Sequence, residues 1–282
     1  MIATAERAYI AEHAYVPEHL PHYVTAISQT EPFLIGDFVA HIRGEHLIFV
    51  GYPLRENFDD APMLRSLDDA KARFKPRVVS IIAPALPAAL VPSGVEGCAP
   101  SSPDEYYRLD LAQLVIPQKT RNMLNRARRD ATVNEAKFGK EHKQLVEEFL
   151  RAHRFDDATR FIFQRVPEYA KCETARVFDA RDARGNLIAF DVADFGATQY
   201  AFYMFNFRSR KYSVPGASDL LLAHIVERAQ AEGKRYVNLG LGIDAGIAFF
   251  KRKWGATAFL RHVSCVQESA SEESWTRLFE KL

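Results

Sequence analysis

The feature that most constrains the fold is a crossover in the second half of the chain. Residues 199–207 have the pattern of a β-strand, a helical pattern covers residues 217–232, and a short apolar strand follows at residues 236–239. A strand–helix–strand connection of this kind places its two strands side by side and parallel in one sheet. The sequence therefore predicts a mixed α/β fold whose sheet contains a parallel strand pair.

The elements around the crossover predict antiparallel pairing elsewhere. Two strands precede the crossover through turns that contain Gly185 and Gly196, which favours an antiparallel meander. The other predicted elements of the second half are strands at residues 175–180, 187–195 and 259–267 and helices at residues 141–153 and 272–282.

The first half of the chain has a similar order of elements. Its predicted elements are helices at residues 16–29 and 63–74, a hairpin of residues 33–42 and 47–52, and strands at residues 78–82 and 106–111. This similarity predicts two related halves, residues 1–131 and residues 132–282, each with a mixed, mainly antiparallel sheet flanked by helices.

Composition limits the classes of protein that the chain can belong to. Hydrophobic residues make up 48% of the sequence and the net charge is +1, so a globular core is expected and sequence-blind binding to polyanions is not. No apolar run reaches the length of a membrane span, which predicts a soluble, cytoplasmic protein without a transmembrane segment. The three widely spaced cysteines predict free thiols, and no histidine spacing predicts a metal site.

Two basic segments are candidates for binding phosphate. The helical segment 117–130 carries five cations with no acidic residue before Asp130, namely Lys119, Arg121, Arg126, Arg128 and Arg129. It is either a solvated surface helix or a helix that faces phosphate or RNA. Arg208, Arg210 and Lys211 lead into the helix at residues 217–232, whose N-terminus favours anions. This loop either binds phosphate or is a solvated basic turn.

Polar residues in otherwise apolar strands are candidates for catalysis. Asp191 and Asp194 are three residues apart in one strand, so they face opposite sides of the sheet. Asp191 either acts as a general base or acceptor ligand or is a surface carboxylate. By the same alternation, Tyr203 shares a face with Phe205 and Phe207, whereas Asn206 faces the other side with Arg208 and lines a candidate site.

Three segments resemble a known family. They are Lys119-Thr120-Arg121-Asn122 with the arginines that follow it, Gly233 to Gly240, and Gly246 through Phe250-Lys251 to Trp254-Gly255. In these segments the chain resembles acyltransferases of the GNAT superfamily, and in particular FemABX-type aminoacyltransferases and the C-terminal domains of aminoacyl-phosphatidylglycerol synthases. The resemblance implies two GNAT-like halves, the second of which carries the site.

The resemblance also implies an activity. It implies transfer of an acyl or aminoacyl group to an amine or hydroxyl, with Lys251 in contact with the phosphate or carbonyl of the donor. By physics alone, Lys251 is equally a lysine that stabilises the C-terminal end of a helix. FemABX-type enzymes use aminoacyl-tRNA, and ordinary GNAT enzymes use acyl-CoA held by the loop pattern R/Q-x-x-G-x-G/A. Here Pro215 and the missing glycine pair depart from that pattern, which weakens the acyl-CoA interpretation.

The favoured interpretation is direct aminoacyl transfer from aminoacyl-tRNA to an acceptor amine on a small molecule, peptide or lipid, with no tightly bound cofactor. Lys251, Asp191 and Asn206 are then the catalytic candidates. The phosphate-binding candidates are Lys119, Arg121, Arg126, Arg208, Arg210 and Lys211. Two alternatives stay open: an acyl-CoA-dependent N-acetyltransferase of a small amine, and a non-catalytic descendant that binds RNA or a partner.

Overall fold

A computed structural model describes residues 2–55, 58–90 and 103–268. These residues form eight α-helices and eleven β-strands. The helices are α1 (Thr4–His13), α2 (Pro21–Ser28), α3 (Asp60–Phe74), α4 (Gln118–Asp130), α5 (Lys140–Ala152), α6 (Asp157–Tyr169), α7 (Ala217–Ala231) and α8 (Ala245–Lys253). The strands are β1 (Glu31–Ile35), β2 (Phe38–Arg43), β3 (His46–Val50), β4 (Val78–Ala83), β5 (Asp104–Asp110), β6 (Ala131–Ala136), β7 (Ala175–Asp182), β8 (Leu187–Asp194), β9 (Tyr200–Arg208), β10 (Tyr236–Leu241) and β11 (Thr257–Glu268).

The strands form one mixed sheet in the order β1-β2-β3-β4-β11-β5-β10-β9-β8-β7-β6. The pairs β3–β4 and β9–β10 are parallel, and the other neighbouring pairs are antiparallel. The predicted parallel pair across the α7 crossover and the mixed, mainly antiparallel sheet are therefore confirmed. Strand β11, from the second half of the chain, pairs with both β4 and β5, so it lies between two strands of the first half. The division at residues 131 and 132 stays a prediction.

Several local predictions differ from the structure. The predicted strand 33–42 is two strands, β1 and β2, because Gly36 adopts a left-handed φ of 59° and turns the chain between them. Helices α1 and α6 and strand β6 were not predicted. Pro167 lies inside α6, and β6 is a short edge strand of mixed polarity, so both give weak sequence patterns. The predicted helix 272–282 lies outside the described residues.

The cysteine prediction needs a correction. Cys172 is a free thiol, whereas Cys265 is disulfide-bonded, so the expectation of three free thiols is wrong for Cys265. Cys98 lies outside the described residues. The sequence did not predict the disulfide bond of Cys265, because widely spaced cysteines carry no pairing information.

Apolar side chains pack on both faces of the sheet. One face of β7–β9 packs on α2, α5 and α6, with Phe190 and Phe207 at its centre. The opposite face packs on α4 and α7, through residues such as Leu124 and Leu221. This second face also carries the polar groups described next. Across the described ranges, no helix is long and apolar enough to span a bilayer.

Candidate functional site

The candidate site begins where β9 and β10 separate. The two strands pair in parallel only from Tyr200–Tyr236 to Phe202–Asn238. Strand β9 then continues to Arg208 while β10 ends at Leu241, and α7 connects them. Open crevices beyond the carboxyl ends of parallel strands are where ligands bind in α/β sheets. Polar side chains from β8, β9, β10 and α8 flank this separation.

A bulge in β9 places Tyr203 on the site face. In the β8–β9 pair, Val192 lies opposite Phe205 and Ala193 lies opposite Tyr203, so Met204 is an extra residue in β9. Tyr203 therefore packs on the α7 side of the sheet, whereas Phe205 lies on the other side. The prediction that Tyr203 shares a face with Phe205 and Phe207 is wrong, because strict alternation does not hold across a bulge.

Asp191 and Asn206 are in direct contact on this face. Asn206 Nδ2 donates to Asp191 Oδ1 at 2.5 Å, and Ser218 Oγ of α7 donates to Asn206 Oδ1 at 3.1 Å. Asp191 is fully buried, and among the described residues its Oδ2 has no hydrogen-bond partner. Burial raises the pKa of Asp191 well above 3.8, and interactions with Asn206 and Tyr203 lower it only in part. A buried carboxyl with a raised pKa holds a proton more tightly than an exposed one, so it is suited to proton exchange with a reacting group.

The contacts of Asp194 confirm that it faces the opposite side of the sheet. It accepts hydrogen bonds from Tyr169 Oη at 2.8 Å and Thr174 Oγ1 at 3.0 Å, and it contacts His22. Tyr169 belongs to α6, His22 belongs to α2, and Thr174 lies in the turn before β7, so none of these partners comes from α7. Asp194 therefore joins the elements of the other face and has no role at the candidate site.

Lys251 is buried at the end of β10. It is 4% exposed, and its Nζ donates to the main-chain oxygen of Leu241. The face of the Tyr107 ring lies 5.9 Å from Nζ, and Gly240 leaves open the space beside it. Burial lowers the pKa of Lys251 to about 7, and the charges of Asp104 and Asp244 oppose this change. Within the described ranges, no hydrogen bond joins Lys251 to Asp191 or Asn206.

Helix α8 joins the two sets of polar groups. Phe250 stacks on Tyr203 with ring centroids 6.3 Å apart. The residue before Lys251 therefore covers the side of the sheet that carries Asp191 and Asn206. At the end of the helix, Trp254 Nε1 donates to Asp219 at 2.8 Å and Lys253 forms an ion pair with the same carboxylate at 2.7 Å. These contacts fasten α8 to the first turn of α7. The sequence patterns missed these structural roles of Tyr203, Ser218 and Asp219, because they depend on contacts between distant elements.

The loop between β9 and α7 contains hydrogen bonds between its own residues. Ser209 Oγ accepts hydrogen bonds from the amides of Lys211 and Tyr212 at 3.2 and 3.1 Å, and Ala217 N donates to Val214 O at 3.2 Å. Pro215 has no amide hydrogen. The amides of Lys211, Tyr212 and Ala217 are therefore occupied within the protein, and Pro215 offers none.

Helix α4 lies against the start of α7. Gly216, which precedes α7, has a left-handed φ of 84°, and a Cβ at this position would lie 3.1 Å from Met123 Cγ. Thr120 Oγ1 donates to Lys253 O at 3.2 Å, which fixes the first turn of α4 beside the end of α8. The structure therefore brings the basic helix and the basic loop, which are about 80 residues apart in sequence, to the same part of the surface.

The predicted phosphate-binding cations are exposed. All six lie on the surface, and none of them forms an ion pair with a described residue: Lys119, Arg121, Arg126, Arg208, Arg210 and Lys211. By contrast, Arg128 on the same helix pairs with Glu227 of α7 at 3.1 Å. Unpaired cations on one surface attract polyanions, because no neighbouring carboxylate neutralises them.

The mixed sheet, with its strands separating at β9 and β10, has the GNAT-like fold that the sequence resemblance implied. A family model described as "Phosphatidylglycerol lysyltransferase, C-terminal" matches residues 96–276, which is more than half of the chain. The chain belongs to this family, and the resemblance noted from sequence is confirmed. No curated protein has a significantly similar sequence.

Three solved structures show the same fold. The C-terminal domain of a putative lysylphosphatidylglycerol synthetase from Agrobacterium fabrum is 17% identical, with a TM-score of 0.61 over 95% of this chain and 93% of that one. FemX is 11% identical, with a TM-score of 0.61 over 93% and 96%. A GCN5-related N-acetyltransferase from Kribbella flavida is 14% identical, with a TM-score of 0.52 over 89% and 96%.

Proposed function

We propose that the chain transfers an aminoacyl group from aminoacyl-tRNA to a hydroxyl of phosphatidylglycerol or a related lipid headgroup. The observation that carries the donor assignment is the set of exposed, unpaired cations on α4 and on the loop that follows β9. A nucleic acid presents phosphates over a comparable stretch of surface. Pro215 and the missing glycine pair support tRNA over acyl-CoA, because the loop departs from the pattern that holds the diphosphate of CoA.

The family name supports the lipid acceptor. Phosphatidylglycerol offers a hydroxyl, so this proposal replaces the acceptor amine expected from the sequence. In the proposed step, the acceptor oxygen attacks the carbonyl carbon of the aminoacyl ester and a new C–O bond forms. The C–O bond to the tRNA ribose breaks, and the acceptor proton ends on the ribose oxygen.

Two residues have separate roles in this step. Asp191 takes the proton from the acceptor hydroxyl and passes it to the leaving ribose oxygen. The Lys251 ammonium stabilises the negative charge that develops on the carbonyl oxygen. Asn206 orients the Asp191 carboxylate through its 2.5 Å hydrogen bond. No covalent intermediate on the protein is required.

A transfer assay tests this function. Radiolabelled lysyl-tRNA and phosphatidylglycerol vesicles are incubated with the protein, and label in the lipid fraction is measured. We expect transfer by the wild type and a loss of about 10²-fold or more in Asp191→Asn, with tRNA binding unchanged. Turnover with acetyl-CoA and a small amine, but not with charged tRNA, would instead support the N-acetyltransferase alternative. RNA binding without turnover of either donor would support a non-catalytic protein.

An exposed apolar segment supports access to a lipid surface. Ile243 and Phe249, in the turn before α8 and on α8 itself, are 71% and 65% exposed. Arg252 on the same helix is exposed as well, so the segment combines apolar side chains with a cation. This combination is suited to the interface of an anionic bilayer. Phe249 lies on the helix that also carries Lys251.

The double substitution Ile243→Ser, Phe249→Ser tests this access route. We expect binding to phosphatidylglycerol vesicles, measured by co-sedimentation, to fall about tenfold, because two exposed apolar side chains are lost. Transfer to a short-chain, water-soluble lipid analogue should remain. Val115→Ser is the matched control, since Val115 is 77% exposed but lies in the connection between β5 and α4. Equal loss in the control would contradict the assignment of the α8 segment.

A further inference from the structure

The Asp104 carboxylate joins β5 to the turn that leads into α8 through two hydrogen bonds. Its Oδ1 accepts from Gly242 N at 3.0 Å, and its Oδ2 accepts from Ile243 N at 2.8 Å. Two consecutive amides that converge on one carboxylate form an anion-binding nest. The last paired residues of β5 and β10 are Tyr106 and Leu241, so Asp104 continues the connection beyond the end of the strand pairing.

The turn itself is strained and closely packed. Ile243 has a φ of 57°, in the left-handed region that β-branched residues rarely adopt. A Cβ at Gly242 would lie 2.7 Å from Asp104 Oδ1, so the carboxylate is packed directly on the main chain there. Asp244 follows and caps α8 by accepting from Ile247 N at 2.8 Å. A strained turn of this kind persists only when surrounding contacts hold it, and the Asp104 carboxylate supplies two of them.

The same turn sets the position of Lys251. Lys251 Nζ donates to Leu241 O, and Leu241 lies two residues before Ile243. The groups that face the ammonium are the ring of Tyr107 on β5 and the carboxylates of Asp104 and Asp244. The two carboxylates favour the charged form of Lys251, whereas burial disfavours it. Of these two carboxylates, Asp104 lies on β5, whereas Asp244 immediately precedes the helix that carries Lys251. Asp104 also holds the turn through its two hydrogen bonds.

We infer that Asp104 is a positioning residue for the transfer reaction: its carboxylate holds the turn before α8 and keeps the Lys251 side chain charged and aimed at the end of β10. This inference rests on the proposed function, in which the Lys251 ammonium stabilises the developing oxyanion. Asp104 does not touch the reacting groups. It acts through the geometry of the turn and through its charge.

The test compares Asp104→Asn and Asp104→Glu with the wild type. Removing the negative charge in Asp104→Asn removes an attraction that favours the ammonium, so Lys251 loses its proton at a lower pH. We expect kcat to fall about tenfold, KM for charged tRNA to stay within about twofold, and the alkaline limb of kcat/KM to move down by about half to one pH unit. Asp104→Glu keeps the charge but moves it, so kcat should fall while the alkaline limb stays in place.

Asp110→Asn is the matched control. Asp110 lies at the other end of β5 and also accepts a hydrogen bond from a main-chain amide, that of Ala112 at 3.1 Å. This variant should keep the wild-type kcat and pH profile. Thermal melting of every variant checks that the fold is retained.

A second readout does not depend on activity. Labelling of Lys251 by acetic anhydride at a series of pH values, quantified by mass spectrometry, reports its protonation directly. A shift in Asp104→Asn supports the inference even if the wild type transfers nothing, an outcome that would reject the proposed function alone. An unshifted labelling curve, or a loss of activity in Asp104→Asn with an unshifted alkaline limb, would overturn the inference and leave Asp104 with a structural role only.

Discussion

Lys251→Met should lower aminoacyl transfer by about 10²–10³-fold, which is the usual effect of removing one donor to a developing oxyanion. The same substitution should make the protein more stable at pH 7. Burial lowers the pKa of Lys251 to about 7 in the folded chain, whereas an exposed lysine titrates near 10.5. Between these values the unfolded chain binds the proton more strongly, so the buried amine destabilises the fold.

The stability effect has a defined pH window. Below about pH 7 the amine is protonated in both states and the penalty is complete; above about pH 10 it disappears. After allowance for the lost hydrogen bond to Leu241, Lys251→Met should gain about 2–3 kcal/mol of unfolding free energy at pH 7 and close to none at pH 10. Urea denaturation at the two pH values measures this difference.

Lys234→Met is the matched control for Lys251. Lys234 Nζ also donates to main-chain oxygens, those of Phe195 and Ala197 at 2.9 and 2.7 Å, and burial also lowers its pKa. It lies outside the strand separation, so its loss should leave transfer unchanged. A stable Lys251→Met protein with wild-type turnover would show that Lys251 is only a structural residue.

Neutralising the basic face of α4 should weaken tRNA binding and its dependence on salt. The triple substitution Lys119→Gln, Arg121→Gln, Arg126→Gln removes three exposed, unpaired charges. If each contacts a phosphate, the slope of log K against log salt should become shallower by about 2–3, and affinity should fall about 10–100-fold at low salt. Fluorescence anisotropy with labelled tRNA across a salt series measures both quantities.

Arg128→Gln on the same helix is the control for this experiment. Arg128 forms an ion pair with Glu227, so its charge is already neutralised and its removal should change the salt slope little. If Arg128→Gln changes the slope as much per charge as the triple variant does, the face of α4 lacks a specific phosphate contact. An unchanged slope in the triple variant would show that tRNA does not bind to α4.

The crossover at α7 and the meander of β7–β9 were predictable because their signals are local. Apolar runs, turn glycines and one largely apolar helix lie within about 60 residues of one another, and connection rules then leave few arrangements. The place of β11 between β4 and β5 was not predictable in this way. Its partners lie far away in sequence, and no local pattern records which edge a strand will join.

The candidate site also combines residues that the sequence predicted with residues that it did not. Asp191 and Asn206 were found as polar residues in apolar strands, and their contact follows from the register of β8 and β9. Tyr203 was placed on the wrong face because one extra residue in β9 reverses the alternation. Ser209 gave no signal, because a serine that binds amides in its own loop looks like any loop serine. The roles of Lys251 and of the cations stay predictions until they are tested.

The position of β11 has a consequence for synthesis of the protein. Residues 78–83 of β4 pair with residues 263–268 of β11, so the sheet becomes continuous only after the whole of the chain between them has been made. Until then, β4 and β5 each have an unpaired edge toward the missing strand, and such edges are prone to aggregation. Closing so long a loop is also slow. Expression of this protein should therefore respond to chaperone supply and to translation rate more strongly than its final stability implies.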